Sequence, residues 1–187
     1  MYFCRPNFIR VVLNPLKPYH IAFKGLSLGH HGYDFEIGHD FFECFEESEL
    51  HEGNVQVHLD LEKQERMLVL DFGFAGEVEV VCDRCAYEYP QPISGKQTVY
   101  VKFGDVEEDE GPDDVVFIPE GAWEVDISQI IYDYINILLP MHRVHPNNVD
   151  GNPGCNAEML HLLDELKPPA EIDPRWNALK GLLDSDN

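Results

Sequence analysis

The chain has 187 residues, 44% of them apolar, and carries 35 acidic against 13 basic side chains for a formal charge of −22. The apolar share is that of a globular protein and argues against overall disorder. The charge opposes non-specific binding to phosphates, and no apolar run approaches the roughly 20 residues of a membrane helix.

Residues 1–17 are rich in Pro and Asn, show little periodicity and read as a loosely ordered arm. Arg5, Pro6, Asn7 and Arg10 interrupt any signal-peptide core, so a cytoplasmic protein is expected. From Tyr19 the pattern is strand-like. YHIAF and YDFEI are expected as two strands around a loop, LGHHG, and HDFFECFEESEL as a short helix.

Residues 54–81 alternate most clearly. NVQVHLDLE, MLVLDFGFAG and EVEVVC are expected as three antiparallel strands joined by polar or glycine turns, with KQTVYVKF as a fourth. The stretch 104–114, GDVEEDEGPDD, is an acidic loop. VVFIP and WEVD follow as short extended pieces.

A helical part begins at Asp126. In DISQIIYDYINILLP, Ile127, Ile130, Ile131, Tyr134, Ile135 and Leu138 share one face, with Asp126 and Gln129 as a capping pair and Pro140 as the stop. NAEMLHLLDEL is expected to bury Met159, Leu162, Leu163 and Leu166. DPRWNALKGLL is a third candidate, with Asp173 as cap and Pro174 at its first position. The expected fold is α+β: an antiparallel meander followed by C-terminal helices, with residues 18–187 forming one domain.

Five cysteines in a reducing compartment stay as thiols, so a close pair points to metal or redox chemistry. Cys44, beside aromatic residues, reads as a packed small hydrophobe. Cys82 and Cys85 form a C-x-x-C pair, whose two-residue turn lets both sulfurs reach one cation. Zinc then needs two more donors. The loop 142–155 offers them, with His145 and Cys155 preferred and His142 the weaker choice. Two readings stay open: half of a structural zinc clamp, or a metal-free turn. A redox couple fits poorly, because AYEYPQP after Cys85 starts no helix to lower a thiol pKa.

No hydrolase or phosphate-loop motif is present, and no carboxylate pair stands out for acid–base work, so neither an enzyme nor a small-molecule substrate is expected. The positive charge is uneven. Residues 1–33 hold Arg5, Arg10, Lys17 and Lys24 and no acid, whereas no Lys or Arg lies between Phe103 and His142. The acidic part is either a solvated surface or a docking face for a basic partner.

The order of YHIAFKGLSLGHHGYDFEIGHDFFECFEESEL, VHLDLEKQERMLVLDF and GEVEVVCDRC resembles the YceD-like family of large ribosomal RNA accumulation proteins, in its Bacteroidetes-type form. The acidic loop, the D-x-x-x-I-I helix ending LLP, the His and Cys loop and the closing DPRW-x-x-L agree, so the resemblance spans about Pro18 to Leu183 and leaves the arm outside. It implies a non-enzymatic role in ribosome biogenesis, and it implies a C-x-x-C met by a later His or Cys pair, matched here by Cys82, Cys85, His145 and Cys155. Two partners then come into question. One is large-subunit ribosomal RNA, with Lys17, Lys24, Arg84, Lys96 and Lys102 as contact candidates; the other is a basic ribosomal protein held by the acidic surface. An acidic adaptor or a thiol or metal sensor unrelated to ribosomes is the alternative.

Overall fold

The computed structural model describes residues 14–46, 48–104 and 114–167. The arm up to residue 13, the acidic loop at 105–113 and the third helix candidate, DPRWNALKGLL, lie outside them.

The alternating apolar residues build a meander of strands β2 (Gly29–Ile37), β3 (Gly53–Lys63), β4 (Met67–Val81) and β5 (Glu88–Phe103). All three pairings among them are antiparallel, and β6 (Val115–Ile118) adds to β5 in parallel, giving the order β2-β3-β4-β5-β6. Leu59 and Leu61 on β3 lie opposite Phe72 and Leu70 on β4, so alternation in sequence becomes one continuous apolar face.

That face is covered by α1 (His39–Phe42) and α2 (Ser128–Ile137), with α3 (Ala157–Glu165) following. Ile127, Ile131 and Ile135 are fully buried in the same core as Val55, Leu59 and Leu70. Each such side chain contributes about 1.5–3 kcal/mol on leaving water. Gly95 on β5 lets α2 come close, since a Cβ there would stand 2.3 Å from the end of Leu138.

Several expectations need correction. YHIAF spans the end of one 3-10 turn and the start of another, leaving between them a two-residue strand, β1 (His20–Ile21), which pairs with β7 (Val125–Asp126) and not with β2. LGHHG is no hairpin loop, because β2 starts at Gly29 within it. Residues 67–81 form one strand and not two. Gly76 makes no turn; it lies so close to β3 that a Cβ would stand 2.1 Å from the Asn54 carbonyl oxygen. β5 begins well before KQTVYVKF and includes Pro90 and Pro92. There β5 pairs only with β4, so the missing N–H groups deprive no second neighbour.

At the start of α2, Asp126 accepts hydrogen bonds from the Ser128 N–H and hydroxyl, while Gln129 turns away to bond Asp133. The expected cap, Asp126, thus acts from one residue before the capping position, Ile127, and its expected partner does not reach back. α3 is capped by Asn156, whose side chain accepts from the Met159 N–H, but it buries no residue fully. Met159 packs partly on the core with Leu160, whereas Leu162, Leu163 and Leu166 are exposed among the described residues.

Candidate metal centre

Four side chains from two distant segments meet at the end of the sheet where β4 turns into β5. Cys82 follows the last residue of β4, and Cys85 lies three positions on, before β5 begins. The turn is tight: Ala86 N–H donates to the Cys82 carbonyl, and Cys82 N–H donates to the Tyr87 carbonyl, each at 2.9 Å. It carries Ala86 through the left-handed region at φ 58° and aims the Arg84 N–H at the Cys82 sulfur, 3.4 Å away.

His145 and Cys155 are ten positions apart, a loose spacing in sequence, but a small hairpin closes it. Asn147 bridges to Pro153, Asn148 N–H donates to the Asn152 carbonyl at 2.7 Å, and Gly151 at φ +79° makes the bend. Gly154 N–H donates to the Pro146 carbonyl at 3.2 Å, and a Cβ on Gly154 would stand 2.4 Å from that oxygen. The two ligand-bearing ends therefore lie side by side at the open end of the hairpin.

The three sulfurs and a His145 ring nitrogen all lie within 4.8 Å of one another, and all but the half-buried His145 are buried. Cys82 Sγ is 3.9 Å from Cys155 Sγ, and Cys85 Sγ is 3.4 Å from His145 Nδ1. A tetrahedral ion with metal–sulfur bonds of about 2.3 Å and a metal–nitrogen bond of about 2.0 Å has edges of about 3.8 and 3.5 Å. The Cys82–Cys155 and Cys85–His145 separations match those edges, and the cluster could hold a metal ion. His142 is exposed and is not part of it.

The thiols are electrically unlike. Burial pushes Cys82 up, but hydrogen bonds from the His145, Arg84 and Cys85 backbones and from the His145 ring outweigh it and bring it down to about 6. Burial pushes Cys155 up to about 11, and the neighbouring Cys82 and Cys85 sulfurs add to the rise. Metal ligands bind deprotonated, so a cation entering this cluster would release the proton that Cys155 holds more tightly than Cys82.

Residues that the sequence did not single out hold the two segments together. The Asp83 N–H donates to the Arg143 carbonyl, and the Arg143 N–H donates to the Asp83 carboxylate, both at 2.7 Å. The Arg143 guanidinium also bonds Glu49 at 3.2 Å. Tyr89 lays its ring 4.6 Å from that of His145. The turn signal D-G at Asp150 and Gly151 could have revealed the hairpin. Nothing local could have revealed Asp83 or Arg143, since their partner lies 60 residues away.

Of the cations proposed for RNA contact, Lys24 and Lys102 lie toward one end of the sheet, next to Phe23 and Phe103, whose rings are 5.5 Å apart. Lys96 and Lys102 share the exposed face of β5, but Arg84 precedes the opposite end of that sixteen-residue strand, roughly 50 Å long. Lys17 and Lys24 sit in the two 3-10 turns flanking β1.

No described helix is long and apolar enough to cross a membrane. The family model described as large ribosomal RNA subunit accumulation protein YceD matches residues 70–183, from near the start of β4 through the candidate metal cluster and past α3. No curated protein and no solved structure matches the chain.

Proposed function

We propose that this chain, which belongs to the YceD family of large ribosomal RNA subunit accumulation proteins, supports that RNA by binding and not by catalysis, and that it binds a basic ribosomal protein. The observation that carries the reading is family membership in a chain of charge −22. Such a charge speeds encounter with basic proteins and repels phosphates. Direct contact with ribosomal RNA would need a local basic patch; Lys24 and Lys102 lie toward one end of the sheet and Arg84 precedes the other, and the excess of acid favours the protein partner.

In this reading the metal is zinc and its role is architectural. A Cys3His set is a closed structural site with no position left for substrate, and it clamps the hairpin after α2 to the end of the sheet. A second reading, a thiol sensor, draws support from the depressed Cys82 thiol. Metal content separates the two: protein purified without added zinc is expected to hold one equivalent.

The partner is tested by affinity capture from cells, with and without nuclease. Retention of ribosomal proteins after nuclease treatment is the expected result. Loss of all ribosomal material on nuclease treatment, with binding of large-subunit RNA fragments at low salt, overturns it.

A further inference from the structure

The sheet has a second face. Side chains of β2 to β5 that alternate with the core residues point away from α1 and α2, and among the described residues no element lies over them. Register sets these side chains in rows. Asp34 lies opposite His58, His58 opposite Gly73, and Gly73 opposite Lys96; in the next row Asp60 lies opposite Asp71, and Asp71 opposite Thr98.

The Asp60–Asp71 pair is the unusual feature. Directly opposed residues on one face hold their Cβ atoms about 4.5–5.5 Å apart, and like charges there oppose pairing. Asp60 bonds His30 and Asp71 bonds Thr98, but no Lys or Arg among the described residues bridges the two carboxylates. Beside them Gly73 leaves a gap. A Cβ at Gly73 would meet nothing closer than 3.9 Å, so the space over the backbone is real. Gly73, His58, Asp60, Asp71 and Lys96 line a trough of about 640 Å³.

The geometry points to this trough as the docking site for an extended Lys- and Arg-rich segment of a protein, with one cationic side chain laid along the strand past Gly73 so that its charge reaches the opposed Asp60 and Asp71. The inference rests on the reading that the partner is a basic ribosomal protein, and it names the surface and the kind of segment. Charge complementarity selects the occupant. The lining sets three acids, Asp60, Asp71 and Asp114, against Lys96 opposite Gly73, which forms no ion pair with them among the described residues. The excess is acidic, and a nucleic acid would bring phosphates to the same acids. A long cationic side chain can cross the gap at Gly73 with its stem against the strand and its charge between the acids.

The test uses a fluorescently labelled Lys- and Arg-rich peptide and the full chain. Asp60→Asn with Asp71→Asn is expected to weaken binding about tenfold, the worth of one or two surface ion pairs, with thermal stability held or raised as repulsion is relieved. Gly73→Gln, which fills open space, is expected to weaken binding without unfolding the sheet. Glu65→Gln with Glu120→Gln removes the same charge from exposed positions elsewhere and is expected to change binding less than about twofold. Equal loss in both double variants would show bulk attraction only and overturn the site. Spermidine binding as tightly as the peptide, or large-subunit RNA fragments binding in its place, overturns the occupant. In nuclease-treated capture, wild type and Asp60→Asn/Asp71→Asn retaining ribosomal proteins equally overturns this face alone; wild type retaining none overturns the partner reading itself.

Discussion

Asp83 and Arg143 exchange two hydrogen bonds of 2.7 Å across 60 residues of chain, one from each backbone N–H. Each lies within two residues of a metal-ligand candidate, Cys82 on one side and His145 on the other. The two arms of the cluster are therefore held in register by a contact that does not involve the ligands. Outer partners of this kind typically change metal affinity by about 10–100-fold when removed. Asp83→Ala is expected to weaken zinc by about that factor in chelator competition, with the sheet unchanged by circular dichroism. Asp83→Asn, which keeps an acceptor oxygen, is expected to lose less. Equal zinc affinity in Asp83→Ala and wild type would show that the ligands alone set the geometry.

Removing the proposed metal should act locally. α3 buries no residue fully and follows directly on Cys155, whereas the sheet core around Leu59 and Leu70 is sealed without it. Chelation is expected to speed amide exchange in the 142–166 region and leave the central strands protected. Global loss of protection would make the metal a condition for the whole fold.

Two glycines of β4 should respond oppositely. At Gly76, with φ +156°, an added Cβ meets the Asn54 oxygen and the Val55 Cα of the neighbouring strand at 2.1 and 2.7 Å. Gly76→Ala is expected to destabilise by about 2–3 kcal/mol in urea unfolding. Gly73→Ala meets open space and is expected to stay within about 0.5 kcal/mol of wild type.

Ala86 is a left-handed residue that is not glycine. Releasing its Cβ from that region by Ala86→Gly is expected to raise stability by about 0.5–1 kcal/mol, the left-handed penalty less the added chain entropy. Unchanged or lower stability in thermal unfolding would mean that the Ala86 methyl group packs usefully against the turn.

His39 supplies a pH dependence. Its pKa is raised first by its hydrogen bond to the His51 carbonyl, with Glu52, Glu43 and Asp40 adding to the rise against an opposing effect of burial. A raised folded pKa means stability that is fully present below the ordinary value near 6.5 and lost as pH climbs through the folded value. His39→Gln is therefore expected to lie closer to wild type in stability at about pH 8 than at about pH 5.5, in paired thermal unfolding curves. A gap that widens with pH contradicts the sign.

Much of the candidate site is legible in the chain's own residues. Cys82 and Cys85 share a turn, and His145 and Cys155 are the imidazole and thiol donors that flank the one loop flexible enough to reach them. The hairpin through Asn147 and Pro153, which turns a ten-residue spacing into adjacency, is signalled in the chain only by the D-G at Asp150 and Gly151, and the backbone pairing sets its register. Strands are legible where one face is buried and the other wet, as along Val55 to Leu61, because burial alone forces period two. Glycine misleads at Ala75–Gly76, where close approach of strands and not a turn demands a residue without a side chain. The apolar stripe of α3 is legible too, but its burial depends on neighbours, and Leu162, Leu163 and Leu166 remain exposed among the described residues.

By itself the sequence determined the antiparallel sheet, the Ile-rich helix packed on it, the excess of acid, and the four side chains able to share one ion. Those follow from local periodicity and from residue chemistry. Tertiary structure decided which strands pair, that β1 joins β7, that Asp83 locks to Arg143, and that Asp60 faces Asp71 on the open side of the sheet. Most of these contacts bring together residues tens of positions apart. Their energies come from geometry that no short stretch of chain contains.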